Sequence, residues 1–580
     1  MPLDKDLQSI QEARDLVARA KEAQLAFRPF TQEKVDAIVK AMVDAGFAAA
    51  EKLGKMANEE TGFGKAADKK KKNEFATKRV WESIKDLKTV GVIDEDKQKR
   101  IIKIAEPMGV VAALVPSTNP TSTLMFKAII SLKGRNSIVA SPHPRSVNCT
   151  LEATNILAKA AEGAGAPAGL INCMSIPTTE GTNELMRQKH TAVILATGST
   201  PMVKAAYSAG KPAYGVGPGN VPSFIERTAN VKKAVADIVS GKMFDWGVLC
   251  STESGAILDV PIKKLAIEEF KKRGAYFTSP EEKDRLSRLM FDNRGAINPD
   301  VVGKSPVIIA QMAGFDVPHD TSVLIAELPG VGREYPLSRE KLSPVLSLFT
   351  VNGWQEGCEL CAKMLEFGGM GHSMVIHSTD SEVVLKFGLE KPANRILVNT
   401  QAALGAVGYT NELMPSMTLG PGTFGGSIIS ENVSAKHLVN IKRLAFETRP
   451  INAPEQFISK STTSVQPEST RAQIVTRSTA PSGKSWMDEI DERIRLKAGN
   501  IITRRPLMAE GQQEIATLSS KAEELKPQVI AASGKQEEET QRSEVVREPE
   551  QKKEDTGKKP DFGIGISADQ IDKIVRDFRK

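Results

Sequence analysis

The stretch that most constrains this chain is Gly109-Val-Val-Ala-Ala-Leu-Val115, seven residues without a charge, closed by Pro116. A short apolar run rich in valine, ending at a residue that lacks a backbone N–H, reads as a strand buried on both faces. Such strands belong to parallel sheets. Runs of the same kind recur at Ser137-Ile-Val-Ala140, Ala192-Val-Ile-Leu195 and Ser305-Pro-Val-Ile-Ile-Ala310, each beside helix-like stretches. Parallel neighbours need long crossovers, so the alternation predicts an α/β fold. With 580 residues the chain is too long for one hydrophobic core, and at least two domains are expected.

From Leu7 to about Leu132 the pattern is mostly helical, with Ile10, Leu16, Val17, Ala20 and Leu25 at helical spacing, then Val35, Ile38, Val39 and Met42. A second lobe is expected to begin near Thr228, where Val231, Val235, Ile238 and Val239 share one helix face. The composition changes after about Pro450. Residues 451–580 hold 22 basic and 22 acidic residues and only four aromatics, Phe457, Trp486, Phe562 and Phe578. Such a segment buries too little apolar surface to offset its chain entropy, which predicts a disordered tail.

The net charge of +7 is mild and dispersed, and aromatics make up 5% of residues, which argues against a nucleic-acid binder. The densest basic run, Lys69 to Lys72, reads as a solvated helix face. No apolar run approaches the roughly 18 residues of a membrane span. The start, Met1-Pro-Leu-Asp-Lys-Asp6, shows no secretory pattern, so a cytoplasmic protein is expected. Five cysteines are too few for a disulfide framework, and free thiols are expected. The pair Cys358-Glu-Leu-Cys361 lacks the second pair or the histidines of a zinc site and reads as a helical coincidence; no metal site is expected.

Cys250 is the best placed of the thiols. It follows Gly241-Lys-Met-Phe-Asp-Trp-Gly-Val-Leu, a glycine turn and a short apolar rise, and precedes the hydroxyls of Ser251 and Thr252. A working nucleophile also needs a nearby positive potential, and on composition alone an inert buried cysteine remains open. For Cys149, Cys173, Cys358 and Cys361 the inert reading stands. The strand ending at Val115 opens into the polar loop Pro116-Ser-Thr-Asn-Pro-Thr-Ser122, where open α/β sheets place ligands. Asn119 in that loop is either an oxyanion donor or ordinary turn chemistry. The loop Thr197-Gly-Ser199 repeats the arrangement after another strand and before a helix, a place suited to a phosphate.

Taken in order, Ile104 to Ser122, Ser141-Pro-His-Pro-Arg145, Thr197-Gly-Ser199, Gly215-Val-Gly-Pro-Gly-Asn220, Phe244 to Ser254, Glu340-Lys-Leu-Ser-Pro344, Gly371-His-Ser373 and Leu419 to Gly426 resemble the aldehyde dehydrogenase superfamily. The resemblance runs over roughly residues 5–447 and is to the coenzyme A-acylating branch. It implies a Rossmann-like nucleotide-binding domain over 1–226, with an oligomerisation hairpin near 98–110, and a catalytic α/β domain over 227–424. A return and oligomerisation segment at 425–450 would complete a β-arm, leaving 451–580 as the tail. It also implies a homodimer or homotetramer.

By the same resemblance Cys250 attacks the aldehyde, and Asn119 with the Cys250 amide holds the oxyanion. NAD is contacted by Pro116, Ser117, Thr118, Ser141, Pro142, His143, Thr197, Gly198, Ser199, Gly217, Glu340 and Leu342, with Glu340 on the nicotinamide ribose. Hydrolytic members carry a glutamate where this chain has Gly215 to Asn220, with no carboxylate. Without that base, coenzyme A as co-substrate is expected to take the acyl group in place of water. A hydrolytic enzyme releasing the free acid is the alternative. The lysine usual at the adenine-side ribose is replaced by Ser141 to Arg145, which leaves NAD against NADP open.

Two tail segments read as amphipathic helices, near 485–497 and 567–580. In the second, Ser567 and Gln570 form a capping box, and Ile571, Ile574, Val575 and Phe578 make one apolar stripe. Burying four such side chains yields at most about 6 to 12 kcal/mol, and ordering the segment's backbone costs at least about that much. The helix is therefore expected to form against a partner. It resembles the encapsulation peptides that dock enzymes to shell proteins of bacterial microcompartments, which would place an enzyme of a short-chain aldehyde, acetaldehyde or propionaldehyde, inside such a shell.

Overall fold

The structure, a computed structural model, describes residues 4–452. Both tail helices expected from the sequence lie outside the described residues. The long helices Lys5–Phe27 and Gln32–Ala48 come first, and they bury Leu16, Val17 and Ala20, then Val35, Ile38, Val39 and Met42, as their spacing predicts. Leu25 differs, standing 51% exposed on the outer face of its helix.

A hairpin of β1 (Gly91–Asp96) and β2 (Ile101–Pro107) follows, and the chain turns at Gly109, φ 134°, into a parallel sheet. Its strands are β3 (Val110–Val115), β4 (Ser137–Pro142), β5 (Ile171–Cys173), β6 (Thr191–Thr197) and β7 (Ala213–Val216), in the order β5-β4-β3-β6-β7. The order reverses between β3 and β6. Consecutive strands therefore leave these two in opposite directions and open a crevice at their carboxyl ends. Lys127, fully buried on the helix Pro120–Lys133, donates to the carbonyls of Leu114 on β3 (2.7 Å) and Leu195 on β6 (2.9 Å). Burial lowers its pKa to about 7.

The second sheet is built from β8 (Val221–Ile225), β9 (Glu253–Asp259), β10 (Ala275–Phe277), β11 (Val323–Glu327), β12 (Val345–Val351), β13 (Met374–His377) and β14 (Ile396–Val398). It is parallel throughout, in the order β10-β11-β12-β9-β8-β13-β14. Because β8 already pairs with β9 and β13, this sheet begins before the expected boundary at 226/227. Finally β15 (Val439–Ala445) pairs antiparallel with β2, making a small sheet whose outer strand is largely exposed. The arm thus spans Gly91–Pro107 and Val439–Ala445, and Val110, placed in the hairpin by the 98–110 reading, belongs to β3.

Two local readings are corrected. The run Ser305 to Ala310 is a helix start: Ser305 accepts the N–H of Ile308 and Pro306 occupies the first turn of the helix Pro306–Met312. Capping and a pre-set proline φ outweigh the β-branched composition there. In the run Lys69 to Lys72, on the helix Ala66–Glu74, Lys70 and Lys71 are solvated as read, but Lys69 and Lys72 stand only 2% and 4% exposed. Residues three apart share a helix face, and a single carboxylate, Asp245, draws both inward.

Candidate active site

Residues just before Cys250 adopt an uncommon backbone. Asp245, Trp246 and Gly247 have φ of 49°, 51° and 74°, three successive left-handed residues, two of which bear a Cβ. Such conformations cost about 1 to 2 kcal/mol each and persist only where surrounding contacts hold them. Here the Asp245 N–H donates to Asp68 Oδ2 (2.9 Å), and its Oδ1 accepts the N–H of Lys65 (2.6 Å). Its Oδ2 accepts Lys69 Nζ (3.2 Å) and Lys72 Nζ. The turn brings Cys250 to the mouth of the crevice between β3 and β6.

Cys250 lines a cavity of about 610 Å³ together with Pro116, Ser117, Thr118, Asn119, His143, Thr197, Gly198, Ser199, Gly217, Glu340 and Leu342. These residues are spread over more than two hundred positions and meet because β3, β4 and β6 end side by side. Ser141 and Pro142 do not line the cavity; Ser141 Oγ is spent on Thr182 Oγ1 (2.7 Å), and the contact from that segment falls to His143. Ser199 makes no capping bond to the helix Thr200–Tyr207, and since Pro201 has no N–H, Thr200 and Met202, which line the cavity, carry the first-turn N–H groups without an intrahelical partner. That uncapped start beside Gly198 fits a pyrophosphate.

The segment Gly215 to Asn220 passes against the backbone of Cys250. A Cβ on Gly219 would lie 2.0 Å from the Cys250 carbonyl oxygen, so only glycine fits. Its N–H donates to Glu340 Oε1 (2.8 Å). Among the described residues lining the cavity Glu340 is the sole carboxylate, and burial raises its pKa to about 7. Burial, then the charge of Glu340, push the Cys250 thiol up to about 12, opposed by Arg395 and by the backbone N–H groups of Cys250 and Ser251. The free protein therefore holds a thiol, and a thiolate needs added positive charge. Cys149, Cys173, Cys358 and Cys361 are buried, with pKa values raised chiefly by burial.

Four residues here carry no role in the sequence reading. Lys72 donates to Asn119 Oδ1, while Asn119 Nδ2 donates to Thr118 Oγ1 (3.0 Å). Arg395, 3% exposed, donates to Ser373 Oγ (3.1 Å) and to the Gly420 carbonyl (2.8 Å), tying β14 to two loops. His372 is buried, with Nδ1 on Ser373 Oγ (3.0 Å), and burial lowers its pKa to about 3, so it is neutral. Asp245 is the fourth. The available signal was the i, i+3 spacing of Lys69 and Lys72 and an aspartate five residues ahead of the cysteine.

On the far side of Lys72 lies a second cavity of about 410 Å³. Its wall is apolar, with Phe75, Met243, Phe244, Leu249, Leu404, Val407, Tyr409 and Met417, and Lys65, Asp68, Lys71 and Lys72 supply the charges. Among the described residues no cluster of His, Cys, Asp and Glu is placed to hold a metal, and no helix is long and apolar enough to cross a membrane.

Known proteins share the sequence and fold of this chain. The model of the aldehyde dehydrogenase family matches residues 6–284. Aldehyde-alcohol dehydrogenase 2 of Entamoeba histolytica is 45% identical over 441 residues, covering 74% of this chain and 51% of its own length. The chain thus spans about half the length of that relative. The crystal structure of an acetylating aldehyde dehydrogenase from Geobacillus thermoglucosidasius is 50% identical, with TM-score 0.76, covering 78% of this chain and all of that one. A propionaldehyde dehydrogenase from the Clostridium phytofermentans fucose utilisation bacterial microcompartment is 26% identical with TM-score 0.67, over 74% of this chain and 96% of that one. With Cys250, Asn119 and the start of the helix Thr200–Tyr207 converging on one crevice, this chain belongs to the aldehyde dehydrogenase family, in its acylating branch.

Proposed function

We propose that the chain oxidises a short aliphatic aldehyde, acetaldehyde or propionaldehyde, with NAD and coenzyme A, yielding the acyl-CoA. One observation carries the reading: Cys250 and Asn119 line the same cavity, while the segment packed on the Cys250 backbone, Gly215 to Asn220, has no carboxylate. In this reading the Cys250 S–H gives its proton to solvent as the sulfur bonds to the aldehyde carbon, and the carbonyl π electrons move to the oxygen, whose charge is held by Asn119 Nδ2 and the Cys250 N–H. NAD, when bound, supplies a hydride acceptor and a cationic ring. Loss of hydride from the thiohemiacetal leaves a thioester on Cys250. The thiol of coenzyme A then bonds to the acyl carbon and the Cys250 sulfur leaves, regenerating the free residue. Thr197, Gly198, Ser199 and the helix behind them would hold the pyrophosphate, His143 the adenosine end, and Glu340 the nicotinamide ribose. The 410 Å³ apolar cavity beyond Leu249 suits the aldehyde chain.

Glu340 favours a second reading. A carboxylate in the cavity with a pKa raised to about 7 has the strength of a general base for water, which would release the free acid. Incubating enzyme, aldehyde and NAD with and without coenzyme A separates the two. The acylating reading expects NADH formation to depend on coenzyme A and the product to be a thioester. NADH formation indifferent to coenzyme A, with acid as the product, would replace it.

We further propose that the chain is housed in a bacterial microcompartment through residues 565–580 and assembles as a homodimer or homotetramer through its β-arm. The capping box and apolar stripe of that segment support the first part, as does the source of the propionaldehyde dehydrogenase structure. Exposed Ile441, Leu444 and Phe446 on the arm support the second. Deleting residues 565–580 should leave turnover unchanged and abolish co-purification with shell protein; retained co-purification would refute the docking role.

A further inference from the structure

The two ends of a carboxamide have nearly the same shape but opposite hydrogen-bonding character, so neighbours decide which end faces a site. For Asn119 the neighbour is Lys72. An ammonium carries donors only and pairs with Oδ1 alone, which turns Nδ2 the other way. One Nδ2 hydrogen goes to Thr118 Oγ1 (3.0 Å), and the second remains for a ligand in the cavity that Thr118, Asn119 and Cys250 share. The ammonium also draws electron density toward Oδ1, which makes the opposite N–H a stronger donor.

Lys72 is itself fixed. Its Nζ rests on the Asp245 carboxylate, and the helix that carries it packs against the helix Pro120–Lys133, which begins right after Asn119. Lys69, one turn earlier, bridges the same carboxylate (3.2 Å) and the carbonyl of Thr118 (3.1 Å). Asp245 belongs to the left-handed turn that delivers Cys250. One carboxylate therefore joins the turn holding the thiol to the loop holding the amide.

We infer that Lys72, anchored by Asp245, is the positioning residue that sets the Asn119 carboxamide with its N–H toward the oxygen of the reacting carbonyl. The inference rests on the reading of Asn119 as the oxyanion donor.

A double-mutant cycle tests it, with kcat and KM of coenzyme A-dependent NADH formation measured for the full chain. Lys72→Met should lower kcat roughly 10- to 100-fold with the aldehyde KM little changed. In an Asn119→Ala background the same substitution should lower kcat by less than about twofold, since the group it orients is gone. Lys72→Arg should keep most of the activity. Equal losses in both backgrounds would mean that Lys72 acts independently of Asn119 and would overturn the inference, as would wild-type kcat in Lys72→Met. Should Lys72→Met fail to fold, Lys72→Gln serves the same cycle. Unchanged kcat in Asn119→Ala alone is a separate result: it removes the oxyanion reading and this inference with it.

Discussion

The two sides of Cys250 are built by opposite means. On one side the 610 Å³ cavity is framed by strand ends, glycines and an uncapped helix start, with the polar side chains of Asn119, His143, Arg294, Arg339 and Glu340 set among them. On the other, the 410 Å³ cavity is walled by side chains from separate segments, among them Phe75, Phe244, Leu404 and Tyr409. A backbone cradle depends on where strands stop and tolerates few side chains, whereas a side-chain wall is set by tertiary packing and can be recut residue by residue. The first suits a ligand of fixed chemistry, the second a substrate whose shape must be discriminated. Between them stand the thiol and the amide, beside a buried ionic cluster around Asp245 whose Lys72 and Asp68 also line the second cavity.

That contrast can be broken at its centre first. Cys250→Ala should cut coenzyme A-dependent turnover by on the order of ten-thousandfold or more, with an unaltered circular dichroism spectrum. Retained NADH formation would remove the thiol from the chemistry on both sides. Asn119→Ala should lower kcat by roughly a hundred- to a thousandfold with little change in aldehyde KM, read from initial rates. A loss confined to KM would move Asn119 into simple binding.

The backbone side makes a pH prediction. Glu340 is pushed from 4.5 to about 7 by burial, so between those values the folded protein keeps a proton that the unfolded chain has released. Stability contributed at this position is therefore greatest below pH 4.5 and falls as pH rises to 7, after which the cost is complete. Glu340→Gln keeps an acceptor for the Gly219 N–H and lacks the charge. Its stability relative to wild type should rise by roughly 2 to 3 kcal/mol between those limits, measured by denaturant unfolding of the ligand-free protein. A constant difference would show that the carboxylate is solvated. On the side-chain wall the effect is smaller. Leu404→Phe should lower kcat/KM for butyraldehyde by about tenfold relative to acetaldehyde. Equal changes for both would place the aldehyde chain elsewhere.

Much of the backbone-built half was legible in the sequence. Gly109 to Val115, Ser137 to Ala140 and Ala192 to Leu195 are strands, and the loops after them meet at the cavity. Each of these readings rests on short-range rules, because burial on both faces, a missing N–H or a close backbone approach restricts residue type position by position. The same rules failed at Ser305 to Ala310, where composition said strand and the Ser-Pro cap made a helix.

The ionic cluster was not legible, and Lys69 and Lys72 were misread because a lysine run is ordinarily solvated, as Lys70 and Lys71 are. Lys72 and Asp245 are 173 positions apart, and no local pattern announces that they meet. Sequence by itself determined the parallel strands, the loops that carry Asn119 and Ser199, and a single cysteine set among turn residues. Only the tertiary structure decided that Lys72 orients the amide, that Gly219 packs on the Cys250 carbonyl with Glu340 on its N–H, and that an apolar wall closes the far side. Local rules act through the backbone of neighbouring residues, whereas buried charges choose partners by the desolvation they must offset, wherever in the chain the compensating group lies.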